Sequence, residues 1–167
     1  MRIADALVPE FDQEMASTRK CLERIPAEKF DYKPHAKSFS LGQLAVHIAT
    51  ICDWGVITLQ TENFDYAPVG AEPYKPPVAK DTAELLAMFD KGVGEFRAAL
   101  AATENDSFMK PWSLQAGGRT LFTMPKAAVV RSMIFNHLVH HRGQLTVYLR
   151  LNDLPVPGVY GPSADEQ

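Results

Sequence analysis

Cysteine is nearly missing from this chain. Its 167 residues include two, Cys21 and Cys52, which form neither a CxxC pair nor the evenly spaced set of a disulfide framework. Both read as small buried hydrophobes in a reducing compartment rather than as a redox pair. Long apolar runs are lacking too: no uninterrupted stretch approaches the ~18 residues that span a bilayer, so no membrane association is expected. The opening Met1-Arg2-Ile3-Ala4-Asp5-Ala6-Leu7 has no extended apolar core and meets Asp5 at once, which argues against a signal peptide. Nor is there an excess of positive charge. With 17 Lys and Arg against 20 Asp and Glu the formal charge is −3, and no basic stripe is visible, so nucleic acid is not an expected partner. A cytoplasmic location is the working reading. Repeats and low-complexity tracts are absent, and without secretion Asn105-Asp106-Ser107 reads as a chance match to a glycosylation acceptor.

What is present is helical periodicity. A chain of this length that is 46% hydrophobic and 22% charged fits one domain with a sizeable core. In the first segment Leu7, Phe11, Met15, Leu22 and Ile25 recur at helical spacing, with Pro9 expected in the first turn and Pro26 beyond the end. The second opens on Ser40-Leu41-Gly42-Gln43, a capping box, and carries Leu44, Ile48, Ile51, Cys52, Gly55 and Leu59 as its apolar stripe. Thr61 to Lys80 then holds Pro68, Pro73, Pro76 and Pro77, a long irregular loop of the kind that often borders a site.

The third helix is predicted from Asp81, with Glu84 three residues on, to about Ala102, burying Leu85, Leu86, Phe89, Val93, Phe96 and Leu100. Between Trp112 and Phe122 the Gly117-Gly118 pair suggests a short β-hairpin or an extended loop. The fourth helix is expected to start near Thr123 or Met124, with Pro125 in its first turn, and to reach about Leu151. These elements make an all-α four-helix bundle with a long cross-connection and a short hairpin before the last helix. An α+β domain lacks enough strand-like segments.

Histidine carries the chemistry. On the fourth helix Val130, Ile134, His137, His141, Leu145 and Tyr148 share one apolar face, so two imidazoles one turn apart occupy core-facing positions. Burying an imidazole without partners is costly, and each of this pair would need its own partner in one small volume. A divalent cation satisfies both. His47, between Leu44 and Ile51 at helical spacing, also faces the interior, although the pattern does not itself bring it to the other two. The bland alternative is three core histidines without metal. His140 lies about 100° around the helix from His141 and reads first as surface. His35 sits in a loop, and Asp53 falls on a poor register for the same face. Gly143, costing about 1 kcal/mol relative to Ala inside a helix, suggests close approach of another backbone. Arg142 has two readings, a carboxylate across the bundle or an anionic substrate.

Taken together, Tyr32-Lys33-Pro34-His35, the stretch from Ser38 to His47, His137-x-x-x-His141-Arg142-Gly143-Gln144 and the tail Tyr160-Gly161-Pro162-Ser163 resemble the DinB-like metalloprotein superfamily, over essentially the whole chain. The resemblance implies a single four-helix-bundle domain over residues 1–167, usually homodimeric, with Zn²⁺ or Ni²⁺ held by His47, His137 and His141. It also points to relatives that are metal-dependent thiol transferases and isomerases using bacillithiol or mycothiol. The expected activity is therefore thiol activation at a three-histidine ion, with a low-molecular-weight thiol and an electrophile as substrates and the two protein cysteines not involved. A metal-dependent hydrolase and a non-enzymatic metalloprotein with a structural or stress-response role are the alternatives. The loop after Thr61 and the segment around Trp112 are the candidates for the mouth of the site.

Overall fold

In the computed structural model, which describes residues 2–72 and 74–166, helix α1 (Ile3–Leu22) starts well before the proline expected to open it: Pro9 lies inside the helix. An interior proline removes one backbone hydrogen bond and costs about 3 kcal/mol in an isolated helix. Tertiary contacts hold the turn ahead of it. The Asp5 carboxylate accepts from Arg2 N at 2.9 Å, Asn105 Oδ1 accepts from Ile3 N at 2.7 Å, and the Arg2 guanidinium donates to the Ala101 carbonyl at 2.6 Å. Orphan amides at the helix start are thus satisfied from across the fold.

Helix α2 (Leu41–Gln60) begins at the predicted cap: Ser40 Oγ accepts from Gln43 N at 3.2 Å, and Gln43 Oε1 accepts from Ser40 N at 2.9 Å. Its whole predicted stripe is buried. By length and mean hydropathy of 1.2 this helix could cross a membrane, but 67% of the relevant window is buried inside the bundle, which is how a core helix looks. Helix α3 (Thr82–Ala102) is capped by Asp81, whose carboxylate accepts from Glu84 N at 2.8 Å. Between α2 and α3 runs the proline-bearing connection; Pro73 lies outside the described residues.

Helices α2 and α3 pack closely at Gly55, where an added Cβ would lie 2.5 Å from Phe96 Cε2. Gly55→Ala is therefore expected to destabilise by about 1–3 kcal/mol despite its better helix propensity. Gly143→Ala is the counter-case. The predicted close approach is not found there: nothing lies within 4 Å of its would-be Cβ, and the position is exposed. Alanine should raise stability by up to about 1 kcal/mol. Thermal melts of both variants check the pair; equal losses would show that a second chain contacts Gly143.

Strand β1 (Asn63–Asp65) lies in the connection between α2 and α3, and after α3 come a short helix α4 (Asn105–Met109) and strands β2 (Pro111–Ala116) and β3 (Arg119–Pro125), the three strands in sheet order β1-β2-β3. The predicted hairpin is β2–β3, turning on Gly117 and Gly118 with φ of +60° and +76°. Strand β1 is parallel to β2 and is too short to leave a period-two pattern. Asp65 fastens its end to the hairpin by accepting from Gly117 N at 3.1 Å and Gly118 N at 2.6 Å. Those amides, Gly118 foremost, hold its carboxyl below the usual range.

Because β3 runs to Pro125, the last helical rod starts at Lys126, slightly later than predicted. It comprises α5 (Lys126–Val129), a π-helical stretch (Val130–Asn136) and α6 (His137–Leu151). The four-helix bundle consists of α1, α2, α3 and this rod, with Phe11 set edge-on to Phe96 at 5.2 Å in the core. Arg142 reaches a carboxylate rather than a substrate. It is 2% exposed and pairs with Glu14 of α1 at 2.6 Å, while also donating to the Glu14 carbonyl at 3.0 Å and to Tyr160 Oη at 2.6 Å. The tail is thereby tied to the bundle.

Candidate metal centre

Helix α2 presents His47 in its second turn, and the rod presents His137 and His141 one turn apart where α6 leaves the π-helical stretch. A π turn holds about one residue more than an α turn, and such irregularities are frequent at functional sites. The three rings meet, with centroids 5.0 Å apart for His47–His137 and 4.6 Å for each of the other two pairs. One nitrogen from each lies within 4.8 Å of the others, and the Nε2 atoms of His47 and His137 are 3.2 Å apart. Two ligands at 2.0–2.1 Å on a tetrahedral ion are about 3.3 Å apart, so this pair already stands at one edge of such a site. The group contains three imidazoles and no carboxylate, a donor set that suits a divalent transition metal. Among the described residues no carboxylate, cysteine or further histidine of α1 or α3 joins the group.

Two of the rings are fixed in one tautomer. His137 Nδ1–H donates to the Met133 carbonyl, inside the π-helical stretch, at 3.2 Å, and His141 Nδ1–H donates to Gln144 Oε1 at 2.7 Å. Each leaves Nε2 with its lone pair free, the second-layer arrangement that orients metal-binding imidazoles. The Gln144 amide also donates to His140 Nε2 at 3.1 Å. His140 is exposed, as read from its register, yet it touches the site through Gln144. His35 stays in its loop, accepting from Lys37 N at 3.1 Å, and Asp53 is exposed elsewhere on α2.

The histidines are half-buried, not interior as their apolar face predicts. The cluster sits where the bundle opens, so solvent reaches it. Burial still dominates its electrostatics. It pushes His47 down to about 4, helped by His141 and His137, and lowers His137 and His141 as well. All three are neutral at pH 7, the form that coordinates a metal.

Two cavities flank the cluster. One of ≈ 460 Å³ is lined by Phe30, Phe39, Val46, His47 and Pro76–Ala79, and another of ≈ 380 Å³ by Phe39, Leu44, His141, Gln144 and Tyr148 among others. Phe39 borders both, its ring 5.9 Å from His47. The long loop thus reaches the mouth through its C-terminal part. Trp112 does not: it is buried with Leu114 and Val129 in a separate apolar cluster, donating to Thr61 Oγ1 at 3.2 Å. Phe39 carries no sequence signal, since it lies in a loop without periodicity. Gln144, three residues after His141, could have been found from helical geometry alone.

Known proteins are similar to this chain over most of its length. YrdA of Bacillus subtilis (strain 168), itself uncharacterised, is 29% identical over 163 residues, covering 97% of this chain and 90% of that one. A DinB-like protein from Bacillus cereus ATCC 10987 superposes with a TM-score of 0.71 at 25% identity, covering 95% of this chain and 98% of its own. The DinB-like protein YjoA from Bacillus subtilis, at 18% identity, supports the fold alone, with a TM-score of 0.69 over 97% of this chain and 99% of its own. A model of the DinB family matches residues 2–167, and the chain belongs to that family.

Proposed function

We propose that His47, His137 and His141 hold a divalent ion, Zn²⁺ or Ni²⁺, and that the protein transfers a low-molecular-weight thiol to an electrophile at this site. The observation that carries the reading is three neutral imidazoles converging at a half-exposed position between two cavities. Three protein ligands leave coordination open, as catalytic sites do and structural sites do not. When bound, the ion supplies a Lewis-acid position that lowers the pKa of a thiol enough to ionise it at neutral pH.

The chain's own residues do the rest. Met133 and Gln144 hold the imidazoles of His137 and His141 in the coordinating tautomer. Phe39, Val46 and Pro76–Val78 give one cavity an apolar wall suited to an apolar electrophile and to excluding water. The protein's thiols do not compete, because burial pushes Cys21 up to about 11 and Cys52 to about 12. Sulfur must then come from a cosubstrate, as the thiol pool of a reducing cytoplasmic compartment would supply. The test is to incubate metal-loaded protein with an electrophile and a panel of thiols. Turnover should require thiol; turnover indifferent to it would replace transfer with hydrolysis, and no turnover with either would favour a non-catalytic metalloprotein.

Proton competition gives a second expected result. Protons displace metal only where the native imidazoles accept them, and their pKa values lie below the ordinary 6.5, at about 4 for His47. Metal should therefore be retained as pH falls through 6.5 and be released on approach to 4. In the metal-free protein the unfolded chain binds protons first, so stability is full above the unfolded pKa and declines as pH drops from 6.5 towards 4. Equilibrium dialysis and urea melts across this window check both; release complete by pH 6.5 would contradict the burial of the site.

A further inference from the structure

A third cavity, of ≈ 640 Å³, lies at the opposite end of α2, where Leu59–Asn63, the end of α4 and the outward faces of β2 and β3 meet. From His47 to Leu59 is twelve residues of helix, about 18 Å, so it is separate from the histidine cluster. Its lining is polar. The hydroxyls of Ser113 and Thr123 bond to each other at 2.7 Å across the hairpin, and two cations, Lys110 and Lys126, face one carboxylate, Glu62.

Lys126 is the unusual member. It is 6% exposed, and its ammonium donates to the Leu59 carbonyl at 2.7 Å, with no other hydrogen bond and no ion pair among the described residues. That bond places a cation at the C-terminal end of α2, where the helix dipole favours one. It occupies one of three donors. It does not account for Lys110 standing at the same cavity. Burial first, and then the charge of Lys110, pull the Lys126 pKa down, with Glu62 acting the other way. A buried ammonium beside a second cation, lacking a contacting carboxylate, is costly unless an anion completes it.

We propose that this cavity binds a small polar metabolite through a phosphate or carboxylate group held by Lys126 and Lys110, with its polar body along Ser113 and Thr123. The volume lies within the range of small-molecule sites. The proposal does not depend on the metal reading.

The experiment is calorimetric titration of the intact protein with inorganic phosphate and with malonate, each against chloride at equal ionic strength. At least one oxyanion should bind saturably where chloride does not, and the tighter of the two identifies the recognised group. Lys126→Met and Lys110→Gln should each weaken that binding about tenfold or more, the usual loss for a charge-assisted hydrogen bond. His137→Ala should leave it unchanged. Should Lys126→Met fail to fold, the exposed Lys110 position decides alone. Absence of saturable binding, binding indifferent to Lys110→Gln, or binding abolished by His137→Ala would overturn the proposal.

Discussion

Replacing His137 with alanine is expected to abolish stoichiometric metal binding, while replacing His140 leaves it in place. The two residues lie three apart on the same helix, and composition alone does not separate them. Geometry does. His137 Nε2 stands 3.2 Å from His47 Nε2 with its Nδ1 already committed to the Met133 carbonyl, so its free lone pair points into the cluster. His140 is exposed and reaches the cluster only through the Gln144 amide. Gln144→Ala should fall between the two, weakening metal affinity about 10–100-fold, because it releases the His141 ring without removing a ligand. Metal competition assays on the three variants give the ranking His137→Ala, then Gln144→Ala, then His140→Ala. Equal losses at 137 and 140 would mean that the ion sits on another face of α6.

Glu14→Ala is the second variant expected to have a large effect, this time on stability. Arg142 is 2% exposed and its partner carboxylate 12%, and the pair is bonded further to Thr18, Tyr160 and the Glu14 carbonyl. Removing Glu14 leaves a guanidinium buried without its counter-charge, a change that costs about 3–5 kcal/mol. For a chain of this size that is a fall of roughly ten degrees in Tm. Asp12→Ala is the control. Its carboxylate pairs with Arg97 in a bidentate bridge, but both side chains are more than 40% exposed, so the loss should stay under about 1 kcal/mol. Thermal melts that show similar losses for the two variants would contradict the burial argument.

The residues that could be read from sequence are those whose signal is local. The Ser40–Gln43 box and the Asp81 cap place the starts of α2 and α3 because a cap needs only four consecutive residues. The Gly117–Gly118 pair gives the hairpin for the same reason. The misses depend on contacts distant in sequence. Pro9 sits inside α1 because Asn105 and the end of α3 anchor the preceding turn. Strand β1 exists because β2 lies beside it. For the site, the three histidines were legible as an unusual set on apolar faces, but their meeting was not, since it joins α2 to a helix 90 residues later in the chain. The apolar register made them look interior. They stand instead where the bundle opens, which Phe39 and the 76–79 segment reveal only in three dimensions.

Elemental analysis of the protein purified without a histidine tag tests the metal centre most directly. One equivalent of a divalent transition metal per chain is expected, lost in His137→Ala with the fold intact by circular dichroism. Wild-type protein that takes up no stoichiometric metal, even after incubation with Zn²⁺ or Ni²⁺ at neutral pH, would reduce the three histidines to a packed cluster and remove the basis for thiol activation.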